Sequence, residues 1–92
     1  MGMFFAYIKL FLNKFISMLL SNLPIGETAK IKRVFAGESA KRRMDELGLV
    51  EGFNAVVVRF APFFDPIEIK VGSVYLAIRK SDAEKIEVEK VY

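Results

Sequence analysis

DPIEIKVGSVYLAIR, residues 65–79, carries the clearest strand pattern in the chain. Branched apolar residues alternate with charged ones in its first part, which is typical of a strand with one buried face: Ile67, Ile69 and Val71. Gly72-Ser73 then supplies a two-residue turn, and a second apolar run follows at 74–79. The stretch therefore predicts a β-hairpin.

Other segments on both sides of the hairpin also have strand character. Residues 27–35 alternate, residues 53–60 contain a valine run with high β propensity, and residues 86–89 predict a closing strand. The residues of 27–35 that we expect to face inward are Ala29, Ile31 and one bulky neighbour, Val34 or Phe35.

A short helix is predicted between the first two of these strands. Residues 38–47 place Ala40, Met44 and Leu47 on one face, and Gly48 follows where a left-handed cap is needed. One more helical turn is predicted at 81–84. About five short strands with one short helix indicate a mainly β fold, a closed or nearly closed small barrel, because a lone sheet of this size leaves its edges exposed.

The composition limits the classes of function. With 92 residues, of which 53% are hydrophobic, the chain suits one domain with one core. It contains no cysteine and no histidine, which excludes disulfides, thiolate or imidazole catalysis and the usual zinc ligands. Two of the 14 basic residues lie in residues 1–17 without an acid, which leaves 12 basic against 11 acidic residues elsewhere. This near balance gives no reason to expect nucleic acid as a partner.

The first segment, residues 3–20, has helical periodicity. Its polar residues fall on one arc of a helix: Lys9, Asn13, Lys14, Ser17 and Ser21. The opposite face is apolar and comprises Phe4, Ile8, Phe11, Leu12, Phe15 and Leu19. We therefore predict an N-terminal amphipathic helix as an extension at 1–17, followed by a domain at 18–92.

Several interpretations of this extension stay open. A membrane span is disfavoured because Lys9 and Lys14 would each cost about 3 kcal/mol near the bilayer centre, and no secretory cleavage site is clear. The apolar face predicts packing against the domain, a homodimer with a second copy, or peripheral contact with a membrane. Alternatively, translation begins at Met18 and the extension is not made.

Three motifs in a fixed order carry a family resemblance. The first is MLLSNLPIGETAKI at 18–31, with its Leu-x-x-Leu, glycine and Ala-x-Ile. The second is RRMDELGLVEG at 42–52, and the third runs from Asp-Pro at 65 through the hairpin and Leu-Ala-Ile-Arg to 89. From Met18 onward the chain resembles FeoA domains, the ferrous iron transport protein A family, over almost its whole length.

This resemblance implies a fold, a location and a partner. It implies an SH3-like barrel in the cytoplasm that serves as an accessory or regulatory protein of ferrous iron uptake. The implied partner is FeoB, a membrane iron permease that carries a GTPase. The alternative is a stand-alone metal-sensing module related to the C-terminal barrel of iron-dependent repressors; the chain has no helix-turn-helix region before its barrel, which disfavours a complete repressor.

The residues themselves offer little for catalysis or metal binding. Asp45, Glu46 and Glu51 cluster around the end of the predicted helix, where exposed carboxylates usually serve solvation, so we predict no enzyme. Asp65, Glu68 and Asp82 follow no known metal-binding spacing. We assign no metal site and no cofactor, and leave weak binding of Fe(II) or another divalent cation open.

Partner binding is the chemistry that the sequence favours. Arg42 and Arg43 belong to its densest positive patch, which faces either an acidic partner or solvent. Phe63 and Phe64 are adjacent aromatics in a proline-bounded loop, which either plugs the core or presents a ring to a partner. The remaining candidates lie on the apolar face of the extension: Phe4, Phe11 and Phe15.

Overall fold

The computed structural model describes residues 15–91, which form one antiparallel sheet with short helical connections. The strands are β1 (Phe15–Leu19), β2 (Thr28–Val34), β3 (Asn54–Phe60), β4 (Ile67–Val71), β5 (Val74–Ile78) and β6 (Ile86–Val91). The α-helices are α1 (Glu38–Glu46) and α2 (Lys80–Ala83), and 3₁₀ turns lie at Leu20–Asn22 and Pro62–Phe64. The prediction of a mainly β fold is confirmed.

The strand order across the sheet is β1-β6-β2-β3-β4-β5, and every neighbouring pair is antiparallel. Within the described part of the chain, β1 and β5 are therefore the two edges. The hairpin at β4 and β5 closes with Val71 opposite Val74 across the Gly72-Ser73 turn, as the sequence predicts.

A single core lies on one face of the curved sheet. Every strand from β2 to β6 contributes to it, together with Leu20, Leu23 and Leu49 from the connections. Ile67, Ile69 and Val71 are all buried, so the alternation read from β4 is correct. No polar or charged residue among those described is buried.

An irregularity in β2 decides which of its residues enter the core. The register with β6 shifts between Ile31 and Arg33, which adds one residue to β2 and reverses the alternation beyond that point. Ala29, Ile31 and Val34 are consequently buried, while Phe35 is 50% exposed. The choice that the sequence left open between the last two residues falls on Val34.

Helix α1 is fixed by its C-terminal cap and one side chain. Gly48 has φ +87°, and the amides of Gly48 and Leu49 donate to the carbonyls of Asp45 (3.0 Å) and Met44 (2.9 Å). These bonds form a Schellman cap, which requires a residue that tolerates positive φ. Met44 is buried as expected. Leu47, which we expected beside it, is 41% exposed because the helix ends at Glu46 and Leu47 is its C-cap.

The prediction of an N-terminal helix is wrong where the structure describes it. Phe15–Leu19 forms β1, which pairs with β6 from Phe15 opposite Val91 to Leu19 opposite Glu87. The sheet therefore has one strand more than expected, and β1 crosses the boundary predicted between residues 17 and 18. A backbone ladder with β6 overrides the helical spacing because residues 15–19 are equally compatible with a strand. The rest of the predicted helix, with Phe4 and Phe11, lies outside the described residues.

A candidate partner-binding surface

The loop between β3 and β4 presents the most exposed aromatic residue of the described chain. Phe63 in the 3₁₀ turn Pro62–Phe64 is 94% exposed, and Phe64 is 63% exposed. Phe63 and Phe64 have φ of +62° and +63°, a left-handed conformation that costs about 1–2 kcal/mol for a residue with a side chain. Both rings are therefore exposed, so the loop does not plug the core.

Hydrogen bonds hold this loop in its strained conformation. The amide of Phe64 donates to the carbonyl of Ala61 (2.8 Å), and the amide of Ala61 donates to the carbonyl of Pro66 (3.0 Å). The rings of Phe60 and Phe64 meet edge to face, with centroids 5.7 Å apart and an interplanar angle of 66°. Phe64 thus anchors the loop to β3, which leaves the ring of Phe63 to project.

A second anchor joins the loop to α2. A carboxylate oxygen of Asp65 accepts a hydrogen bond from the amide N–H of Lys80 at 3.0 Å. That amide is one of the first-turn donors of α2, which have no partner within the helix. Asp65 therefore satisfies the start of α2 from outside the helix and fixes the loop against it.

A groove of about 330 Å³ opens beside the anchored ring of Phe64. Its walls are mainly apolar and its single charged residue is Lys80; the lining comprises Ser21, Asn22, Leu23, Pro24, Phe60, Phe64, Ile67 and Lys80. Apolar walls with a few polar groups at the rim suit the side chains of a partner protein. We call this groove together with Phe63 the aromatic surface.

A different groove, of about 310 Å³, includes residues just before and within α2 in its lining, and we call it the basic groove. Its lining residues are Arg43, Leu47, Ala77, Ile78, Arg79 and Asp82. Arg43 donates to both carboxylate oxygens of Asp82, each at 3.4 Å, which joins α1 to α2. Arg79 forms no ion pair with any described residue.

The structure separates the residues that the sequence grouped as partner-binding. Phe63 and Phe64 belong to the aromatic surface, whereas Arg43 lines the basic groove and Arg42 is exposed elsewhere on α1. Phe15 is the first residue of β1. Sequence reasoning did not find Lys80, Leu23 or the groove, because the contact of Asp65 with Lys80 spans 15 positions and leaves no periodic pattern.

Two further properties of the described residues bear on function. Residues 15–91 contain no group of three or more His, Cys, Asp or Glu side chains that could hold a metal ion. Within the same range, no helix has both the length and the apolar character needed to cross a membrane.

Residues 18–90 match the family described as the FeoA domain. A curated relative, the Fe(2+) transport protein A/Fe(2+) transporter FeoB fusion protein of Porphyromonas gingivalis, is 39% identical over 72 residues. The matched segment is 78% of this chain but 8% of that protein, so the chain spans a small part of its relative.

Solved structures share the fold. A crystal structure of an iron uptake regulatory protein (FeoA) has a TM-score of 0.77 at 29% identity and covers 83% of this chain and 100% of its own. FeoA of Stenotrophomonas maltophilia, solved with zinc and described as a prokaryotic SH3 domain protein, has a TM-score of 0.68 at 30% identity over 80% of this chain and 96% of its own. A manganese-dependent transcriptional repressor shares the fold alone, with a TM-score of 0.72 at 19% identity over 78% of this chain and 40% of its own. The sheet described above is therefore SH3-like.

Proposed function

The chain belongs to the FeoA domain family, and on that basis we propose that it is an accessory protein of ferrous iron uptake which binds the cytoplasmic part of a FeoB-type iron transporter. The resemblance drawn from the three sequence motifs is confirmed by the match over residues 18–90. Under this proposal the protein is cytoplasmic and acts by binding and not by catalysis.

One observation carries the proposal. In Porphyromonas gingivalis a segment 39% identical to this chain is part of the same polypeptide as the Fe(2+) transporter FeoB. Two domains in one polypeptide meet at a high effective concentration, which favours a contact between them even when their affinity is modest. We extend that association to this chain as a separate partner of a transporter.

The aromatic surface is the contact that we assign to the transporter. Aromatic residues carry much of the binding energy in protein interfaces when they are rigid and enter a pocket of the partner. Phe63 is exposed and held by an anchored loop, and the groove beside Phe64 can receive a side chain in return. A rigid loop also loses little conformational entropy on binding.

Binding to the isolated cytoplasmic portion of the transporter tests the proposal. Affinity is measured with and without a GTP analogue, first for the unmodified chain and then for Phe63→Ser. We expect measurable binding in at least one nucleotide state and an affinity loss of about 10- to 30-fold for the variant, the size typical of an aromatic hot spot.

Phe53→Ser is the matched control. Phe53 is also exposed, at 52%, but it precedes the other end of β3, about 20 Å away along the strand. The control should bind like the unmodified chain. Absence of binding in every nucleotide state overturns the proposal, and equal losses for both variants overturn its assignment to the aromatic surface.

A metal-sensing module is the second candidate, since the fold is shared with a manganese-dependent transcriptional repressor. Calorimetric titration of the isolated protein with Fe(II) and with Mn(II) separates the two candidates. Tight and specific binding would favour the sensor, whereas we expect at most weak binding of a divalent cation.

A further inference from the structure

We propose that the outer edge of β5 binds an extended, acidic segment of another protein as an additional strand of the sheet, with its carboxylates in the basic groove. This surface is distinct from the aromatic surface and does not depend on the transporter. Strand addition at a sheet edge is a common mode of peptide recognition.

The register of the hairpin identifies the backbone groups that are free on this edge. In a hairpin with a two-residue turn, the flanking pair Val71 and Val74 exchanges hydrogen bonds, and such pairs then alternate along the strands. Val74, Leu76 and Ile78 thus direct their backbone groups towards β4. Tyr75 and Ala77 direct theirs away from the sheet, where no described strand pairs with them.

The β5 edge lacks three of the usual protections against pairing, which are charges, prolines and bulges. Its sequence, Val-Tyr-Leu-Ala-Ile, contains no charge and no proline, and its register with β4 runs without a bulge. Natural sheets generally protect exposed edges with charged residues, prolines or bulges. Val74 and Tyr75 are both more than half exposed, so apolar surface accompanies the free backbone groups.

Charge decides the kind of segment that fits. The basic groove lies against the C-terminal end of β5, since Ala77, Ile78 and Arg79 belong to its lining. Its lining contains two arginines and one carboxylate, that of Asp82, which Arg43 already pairs. The cation of Arg79 is left for a ligand, and a carboxylate is its natural complement.

A second copy of this chain fits the edge less well. If two β5 strands paired antiparallel about Leu76, the basic groove would face residues 73–75 of the second copy, which are Ser-Val-Tyr. None of these three residues would bring a carboxylate to Arg79. Because Arg79 has no ion pair with a described residue, its charge favours an acidic segment over self-association.

A peptide titration followed by NMR tests this proposal with the whole chain. The probe is a seven-residue peptide with blocked ends that alternates threonine and valine, with its first two threonines replaced by glutamate. The glutamates stand at the N-terminal end because that end of an antiparallel strand lies beside the C-terminal end of β5. We expect shifts of the Tyr75 and Ala77 amides. The affinity of the chain for this peptide should be about fivefold higher than for the same peptide with lysines in place of the two glutamates. This ratio corresponds to one added ion pair of about 1 kcal/mol.

Two variants distinguish strand addition from general attraction. Ala77→Pro removes the outward N–H without breaking the β4 ladder, and proline is tolerated on the free side of an edge strand. We expect it to weaken peptide binding about tenfold, with Ala77→Ser as the unaffected control. Arg79→Glu should reverse the preference to the lysine peptide.

Equal affinity for the two peptides, or shifts confined to other strands, would overturn the proposal. Shifts of Tyr75 and Ala77 that grow with protein concentration alone, with a doubled mass, would overturn it in favour of self-association. Phe63→Ser should leave peptide binding unchanged, so failure of this inference and failure of transporter binding are separately visible.

Discussion

The carboxylate of Asp65 lies 3.0 Å from the amide nitrogen of Lys80 and accepts its hydrogen. This bond connects the end of the loop between β3 and β4 to the first residue of α2, Lys80, which also lines the groove of the aromatic surface. The bond thus couples the loop that carries Phe63 to the start of the helix that carries Asp82.

Replacement of Asp65 by alanine should lower the free energy of unfolding by about 1 kcal/mol, because the amide of Lys80 loses its partner. Asp65→Asn is the control, since its side-chain oxygen can accept the same bond. The measurement is urea-induced unfolding followed by circular dichroism. If both variants were equally destabilised, the charge of Asp65 and not its hydrogen bond would be responsible.

Phe63→Gly should separate stability from binding. Glycine adopts the φ of +62° without strain, and the ring of Phe63 contributes little to the core because it is 94% exposed. We expect stability to stay level or rise by up to about 1 kcal/mol, while transporter affinity falls as for Phe63→Ser. Thermal unfolding alongside the binding assay measures both, and a clear loss of stability would show that the ring supports the fold.

The parts of the fold that could be predicted from the sequence are those that local pattern determines. The alternation of Ile67, Ile69 and Val71 and the Gly72-Ser73 turn define the hairpin, and Gly48 ends α1 as expected. Residues 15–19 could not be assigned from their pattern, because the choice between helix and strand depends on β6, more than 60 positions away along the chain. Likewise, the burial of Val34 depends on an irregular register that no spacing reveals.

The candidate site was predictable in its residue types but not in its geometry. Adjacent phenylalanines between two prolines left open whether the loop plugs the core or presents a ring, and the structure shows that both rings are exposed, Phe63 more than Phe64. The grooves and the role of Lys80 arise from contacts between distant segments, which a single sequence does not encode in any local pattern.

Gly48→Ala should destabilise the protein by about 1 kcal/mol, since Gly48 has φ +87° and alanine is strained there. No atom lies within 4 Å of the added methyl group, so the effect would be conformational and not steric. Gly37→Ala is the matched control, because Gly37 has φ −62° and is equally open. Chemical denaturation of the two variants provides the comparison; equal effects would contradict the role of the left-handed cap.

Met44→Ala should lower the free energy of unfolding by about 2–5 kcal/mol, the range for truncating a large buried side chain. Met44 is the single fully buried residue of α1, so its loss leaves the helix attached mainly by surface contacts. Arg42→Ala on the exposed side of the same helix should change stability by less than about 0.5 kcal/mol. Urea unfolding monitored at several wavelengths measures both, and a small effect of Met44→Ala would show that the cap and the surface contacts are enough to hold α1.

Deletions from the N-terminus should have a sharp limit between residues 14 and 19. A chain lacking residues 1–14 keeps β1 and its ladder with β6, so it should still fold. A chain lacking residues 1–19 loses the ladder with β6 and should be less stable by at least about 2 kcal/mol, given about 1 kcal/mol for each hydrogen bond lost.

The same deletions test the proposed homodimer. If Phe4 and Phe11 form a contact between two copies, removal of residues 1–14 should convert a dimer to a monomer in light scattering. The double substitution of Phe4→Ser and Phe11→Ser should have the same effect without shortening the chain. An unchanged mass refutes the homodimer. Loss of vesicle binding in the shortened chain would instead assign the segment to peripheral membrane contact, because apolar rings and the cations of Lys9 and Lys14 both favour an anionic membrane surface.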